Sequence, residues 1–134
     1  MKAKTKIIFS AGLLGAAAFG LPTAAQTTGS DVLSSLSKGE WTIRFRGGSQ
    51  ERKICIRTGQ ELVQLSHSGL NCSRFVVEDG DSQVTIQYTC PGQGYGRTSV
   101  RRETASLVQI ESQGIASDAP FQMTAEARRT GSCR

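Results

Sequence analysis

From Gly39 onward the chain alternates apolar and polar positions in short runs. Trp41, Ile43 and Phe45 share one face of a strand, with Thr42, Arg44 and Arg46 on the other. Gly47-Gly48-Ser49 is a turn signal, and Ile54 and Ile56 mark a second strand. Cys72 to Glu78 and Val84 to Cys90 flank a turn at Asp79-Gly80-Asp81. In the second of these, Val84, Ile86 and Tyr88 alternate with Thr85, Gln87 and Thr89, the pattern of a half-buried strand. Gly96 to Arg102, Ser106 to Glu111 and Phe121 to Arg128 read as three more, the last with Phe121, Met123, Ala125 and Ala127 on one face. About seven short strands at roughly ten-residue spacing predict a mainly β domain: an antiparallel curled sheet, a sandwich or a small barrel.

Two segments break that period. Thr58-Gly59-Gln60-Glu61 matches a capping box, with Thr58 as N-cap and Glu61 reaching back. Leu62 and Leu65 follow at helical spacing and Gly69 ends the run, so one short helical turn is expected near 58–66. Gln26 to Lys38 is polar and Ser-rich. Asp31 there is positioned to cap a short helix carrying Val32, Leu33 and Leu36, and a loose arm is the competing reading.

The first residues belong to neither pattern. Lys2, Lys4 and Lys6 precede an uncharged, largely apolar run from Ile7 to Gly20, followed by Pro22 and the small residues Thr23-Ala24-Ala25. These are the regions of a secretory signal with cleavage after Ala25. The run falls short of the roughly 20 apolar residues of a spanning helix and holds Gly12, Gly15 and Gly20, so no stable membrane anchor is expected. Residues 1–25 therefore read as a signal peptide, 26–38 as a polar arm, and 39–134 as a single disulfide-tied β domain. The expected location is the periplasm or the exterior.

Removing the leader changes the charge. The whole chain is +5, but three of its 16 Lys and Arg lie before Ala25, leaving 13 against 11 Asp and Glu, or +2. That balance gives no support to a nucleic-acid partner. All four cysteines, Cys55, Cys72, Cys90 and Cys133, fall in the mature part. An even number in an exported chain reads as disulfides. No pair has the two-to-four-residue spacing of a zinc site, and no CxxC redox motif occurs.

Pairing is then a question of topology. Cys72 opens and Cys90 closes the hairpin turned at Asp79-Gly80, so both lie at its open end and are expected to bond. A loop of Asp79 to Ser82 would set Phe75 opposite Ile86 and Val77 opposite Val84, placing Asn71 rather than Cys72 across from Cys90. A bulge must absorb that residue. The rival pairing, Cys55 with Cys72 and Cys90 with Cys133, would require the ends of two oppositely running strands to meet across the sheet. Cys55 is therefore expected to meet Cys133.

Candidate chemistry is sparse. His67, the only histidine, sits in the polar Ser66-His67-Ser68-Gly69 and reads as an exposed loop residue, so a triad or His-based metal site has little to rest on. Pro91-Gly92-Gln93-Gly94-Tyr95-Gly96 has GxGxG spacing before a strand, which fits a hairpin connection and not a dinucleotide loop. The acidic cluster Glu78-Asp79-Gly80-Asp81 reads as turn chemistry, lacking the spaced ligands of a calcium loop. Arg97, Arg101 and Arg128, with Arg102 and Arg129 beside them, form the one basic grouping. If their strands are neighbours they would make a patch for an anionic partner. The plainer reading is a solvated strand face.

Several structural residues line up as a signature: Gly39-Glu40-Trp41, Cys55 followed by the capped turn to Leu62, Cys72 opening a hairpin, Cys90-Pro91-Gly92 closing it, and the ending Arg128-Arg129-Thr130-Gly131-Ser132-Cys133. In these the chain resembles an exported proteobacterial family of unknown function, family number 3617, over about Gly39 to Cys133. The resemblance implies export and disulfides and carries no activity. Thr58-Gly59 departs from it, since such proteins often show Thr-Pro there. The function expected is that of a non-enzymatic, monomeric envelope protein binding a partner or small ligand without a cofactor. The alternative is a hydrolase whose carboxylate pair assembles only in the fold.

Overall fold

The computed structural model describes residues 30–48 and 50–134, so the expected leader and its cleavage site lie outside the described residues. Seven antiparallel strands form one open sheet: β1 Gly39–Phe45, β2 Glu51–Ile56, β3 Ser73–Asp79, β4 Gln83–Cys90, β5 Gly94–Thr104, β6 Leu107–Ala116 and β7 Ala119–Gly131. Their order across the sheet is β2-β1-β7-β6-β5-β4-β3. Strands β3 to β7 are a plain meander, because each ends in a short turn that leaves the next strand no other partner. β1 then adds to the free edge of β7, bringing Ile43 opposite Ala127 and Phe45 opposite Ala125.

One face of this sheet is the core. Trp41, Ile43, Val84, Ile86, Tyr88, Val100, Val108, Ile110, Ala125 and Ala127 are fully buried on it, at the alternate positions that the pattern marked. Ala125 and Ala127 leave room on β7 for the larger side chains around them. The sheet is curled. Laid flat, seven strands would hold β2 and β3 about 29 Å apart. Yet Arg52 of β2 donates to the Leu65 carbonyl at 2.8 Å, and Arg74 of β3 donates from Nε to the Gln64 side-chain oxygen at 3.1 Å. Both edges thus grip adjacent residues of the same crossover, Arg57 to Asn71, which lies in the hollow. There Leu62, Val63 and Leu65 are buried, and the Val63 carbonyl accepts from the Thr98 hydroxyl of β5 at 2.6 Å.

The 26–38 segment is not a loose arm where it is described. Asp31–Ser34 forms a short helix, α1, that buries Val32 and Leu33. Its cap is Ser30, not Asp31: the Ser30 hydroxyl accepts from the Val32 amide at 3.1 Å and donates to Asp79 at 3.0 Å, tying α1 to the β3–β4 turn. A cap needs extended backbone, which Ser30 has at φ −81° and ψ 138°. Trp41 is fixed from the same side, its indole N–H donating to the Ser37 carbonyl at 2.9 Å.

The expected turn near 58–66 is two 3-10 turns, Gln60–Leu62 and Leu65–His67, broken at Gln64, whose backbone (φ −118°, ψ 49°) is not helical. The break is held by the Gln64 amide, which donates to the His67 and Leu70 carbonyls at 3.0 and 2.7 Å. Glu61 does reach back, accepting from the Arg57 and Thr58 amides at 3.0 and 3.2 Å. Gly59 takes the N-cap position with φ 87°, and a Cβ there would run into the Leu33 backbone of α1. Proline, fixed near φ −65°, is excluded at that position.

The disulfides join Cys55 to Cys133 and Cys72 to Cys90, with Cα separations of 5.5 and 4.2 Å. The hairpin register differs from the expected one. The turn is tighter, Asp79 lies opposite Val84, and Val76 lies opposite Ile86, with a shift between Val76 and Glu78. The irregularity leaves Val77 as an extra residue on β3, whereas the expected register needed the extra residue on the opposite strand; the tighter turn reverses the mismatch. Below Val77, Ser73 faces Thr89, which puts the next pair outward, Cys72 and Cys90, directly across from each other. On the chain-entropy model, bridges closing 18 and 78 residues stabilise by about 3 and about 4.5 kcal/mol.

Two outcomes test this reading of the fold. Gly47 has φ 78° with open space around its α-carbon, whereas Gly59 at φ 87° faces the Leu33 backbone. Gly47→Ala should cost about 1 kcal/mol, and Gly59→Ala about 3 kcal/mol, in urea unfolding; equal losses would show that α1 does not pack on the crossover. Glu61 is the second. Burial pushes its carboxyl up, but amides of Glu61, Arg57 and Thr58 and the Thr58 hydroxyl outweigh that and hold it below the ordinary Glu value. Its folded form therefore favours the carboxylate, a contribution present above the ordinary Glu value and lost as pH falls through the lowered one. Glu61→Gln should flatten the acid side of the stability–pH curve; an unchanged acid limb counts against the capping contacts.

Candidate functional site

His67 is not the exposed loop residue its neighbours implied. It is 4 % exposed and stands on the concave face. Its Nε2 lies 3.1 Å from the Gln93 carbonyl and its Nδ1 2.9 Å from the Tyr88 hydroxyl. A carbonyl only accepts, so Nε2 carries a proton and donates to Gln93, while Nδ1 shares a hydrogen bond with the Tyr88 hydroxyl. The rings of Tyr88 and Phe121 meet it edge-on, at 5.3 and 5.9 Å. Burial pushes the Tyr88 phenol up, with the Ser112 hydroxyl opposing. Every polar group of this cluster is satisfied inside the hollow, which makes it a structural clasp between crossover, β4 and the β4–β5 turn. The GxGxG segment serves the same packing. A Cβ on Gly96 would strike the Tyr88 ring, and one on Gly94 the Ile115 carbonyl. Tyr88 was the available signal: a phenol on a core-facing strand position needs a buried partner.

No carboxylate among the described residues is buried. Glu103 and Glu126 do approach each other, both accepting from the Gln109 amide at 3.4 and 3.2 Å. They stand on the outer face, each held by an arginine: Arg101–Glu103 at 3.2 Å and Arg128–Glu126 at 3.6 Å. This pair lacks the enclosed cleft that glycoside hydrolysis uses. Among the described residues no three His, Cys, Asp or Glu side chains gather in one place.

The same contacts dissolve the basic grouping. Arg97 and Arg101 share the outward face of β5, but β6 lies between β5 and β7, so Arg128 is not beside them. Arg101 and Arg128 belong to a band of alternating charge that runs straight across the sheet. In that band Arg101 lies opposite Gln109, Gln109 opposite Glu126, Glu126 opposite Arg44 and Arg44 opposite Glu51. Arg44 and Glu51 close it with a 2.6 Å bond.

Above this band the outer face changes character. Phe75, Gln87, Arg97, Gln113 and Gln122 stand opposite one another in a single row from β3 to β7. The next row toward the charged band is Glu78, Thr85, Ser99, Glu111 and Thr124. Thr85 accepts or donates to Ser99 at 2.8 Å and donates to Glu78 at 3.2 Å. On the other side lies Tyr95, half exposed at 50 %, and Phe75 is 58 % exposed. Arg97 takes part in none of the ion pairs. Two adjoining clefts meet at Arg97 and Gln113: one of about 410 Å³ bordered by Gln87, Tyr95 and Pro120, and one of about 270 Å³ bordered by Ser99, Glu111 and Gln122. Of the three expected patch residues, only Arg97 belongs to this surface. Sequence reasoning missed its partners because glutamines on alternate strand positions read as ordinary solvated residues.

No family model, curated protein or solved structure matches the chain.

The clasp makes a direct prediction. His67→Ala should leave the Tyr88 hydroxyl and the Gln93 carbonyl unpaired in the hollow and cost about 3 kcal/mol in denaturant unfolding. A loss below about 1 kcal/mol would return His67 to the surface.

Proposed function

We propose that the chain is an exported, non-enzymatic binding protein of the cell envelope, cleaved near Ala25 and acting in the periplasm or outside the cell, with the upper outer face of β4–β7 as its binding surface. Two disulfides in a domain of this size belong to an oxidising, extracytoplasmic environment. The Lys-rich start and Thr-Ala-Ala site support export, as does the resemblance to an exported family.

One observation carries the binding role. The outer face is divided between a self-neutralised band of ion pairs and a region where exposed Phe75, Tyr95 and Arg97 stand among amides and hydroxyls with no partner of their own kind. Exposed rings and an unpaired guanidinium serve recognition better than they serve folding. Inside the hollow, Trp41, Tyr88, Leu62 and Val63 are fully buried and belong to the core.

The test is saturable co-sedimentation of the mature protein with its own isolated envelope, comparing an Arg97→Ala/Gln113→Ala variant with Arg101→Ala. The upper-face variant should lose most of its retention with an unchanged melting temperature, and Arg101→Ala should retain it. No saturable retention, or equal retention by all three proteins, would overturn the proposal.

A further inference from the structure

We infer that the upper outer face binds a linear glycan strand, a reading that rests on the binding surface proposed above and names its ligand. The chemistry of the row selects that class. Sugars present C–H faces that stack on aromatic rings, and hydroxyls that each donate and accept. Gln87, Gln113 and Gln122 supply side-chain amides that donate and accept in one plane, matching neighbouring sugar hydroxyls. One row along, the Ser99 and Thr124 hydroxyls donate and accept, and the Glu111 carboxylate accepts.

The geometry suits an extended chain. Four inter-strand steps separate Phe75 from Gln122, a track of about 19 Å with one polar or aromatic side chain at each step. Phe75 and Tyr95 lie two strands and one pleat apart on the same face, roughly 12 Å, which places two stacking rings under different units of one strand. Both clefts border this track and join at Arg97 and Gln113.

Charge rules against the other occupants. Arg97 stands against two carboxylates, Glu78 and Glu111, so the surface has no positive field to hold a nucleic acid, a polyphosphate or an anionic lipid layer. A protein partner buries a dry apolar centre, whereas here the two rings are separated by amides and Arg97. A hydroxyl-rich polymer fits both the lack of a cationic field and the dispersion of the rings.

The experiment uses the mature, oxidised protein with purified peptidoglycan sacculi, insoluble chitin and insoluble β-glucan in sedimentation, and with chitohexaose in NMR titration. At least one polysaccharide should bind saturably, with shift changes confined to β3–β7 positions of the outer face. Tyr95→Ala and Phe75→Ala should each weaken it about tenfold with unchanged melting, while Arg101→Ala leaves it intact. Binding should vary less than about twofold from roughly 0.05 to 0.5 M salt, unlike that of a phosphate-reading surface. If no polysaccharide binds, or if binding survives loss of both rings, or if it disappears in salt, the inference fails. Envelope retention that is sensitive to Arg97→Ala/Gln113→Ala but unaccompanied by glycan binding would overturn the glycan alone and leave the binding face standing. Loss of both results overturns both readings.

Discussion

The grip of the two sheet edges on the crossover is the constraint on which the rest of the molecule depends. A seven-stranded sheet with a single apolar face cannot bury that face without a second layer, and the described residues form no second sheet. The chain supplies instead the segment from Arg57 to Asn71, folded into the hollow and held from β2 by Arg52 and from β3 by Arg74. The two 3-10 turns carry Leu62, Val63 and Leu65 inward. His67 then locks the segment to Tyr88 and to the β4–β5 turn, while Gly96 clears the space the Tyr88 ring occupies. α1 covers the remaining opening. Its packing against Gly59 joins the two covering segments into one lid over the core.

The disulfides act at the margins of this arrangement. Cys55–Cys133 fastens edge strand β2 to the end of the chain beyond β7, across β1. Cys72–Cys90 closes the open end of the β3–β4 hairpin. Each therefore secures an edge strand, where hydrogen bonding is one-sided and fraying is easiest. The bulge at Val77 breaks the regularity of the exposed β3 edge, a further obstacle to pairing with another chain.

What could be read in the sequence follows from the range of the interactions involved. Strand faces were legible because alternation is local: Val84, Ile86 and Tyr88 point inward for the same reason that Gln87 points outward. The disulfide pairing was legible because a hairpin brings its own ends together; the strand that carries the bulge was not, because it depends on a turn tighter than the expected Asp79–Ser82 loop. Burial of His67 was not legible, since it depends on a crossover threading into a hollow made by strands from both halves of the chain. The same holds for α1, whose Ser-rich surroundings look solvated until Gly59 is seen beneath Leu33. Strand order mattered most for the site. A meander from β3 to β7 separates Arg97 from Arg128 by a whole strand, which turned an expected cationic patch into one paired band and one solitary arginine.

That separation also explains why a binding surface can be carried at little structural cost. The upper outer residues project away from the core and contribute backbone pairing to the sheet regardless of side chain, so their identities are nearly free of folding constraints. In the lower band that freedom is taken up by mutual charge neutralisation through Glu103, Gln109 and Glu126. In the upper rows Thr85 bonds Glu78 and Ser99, while Phe75, Tyr95 and Arg97 make no side-chain hydrogen bond or ion pair among the described residues. Phe75 and Tyr95 would be solvated more favourably as polar residues, and Arg97 has neutral partners on both neighbouring strands, Gln87 and Gln113. Under the proposed binding role, Phe75, Tyr95 and Arg97 are the positions an external ligand would engage, and the division of the outer face is what sets them apart from the charged band.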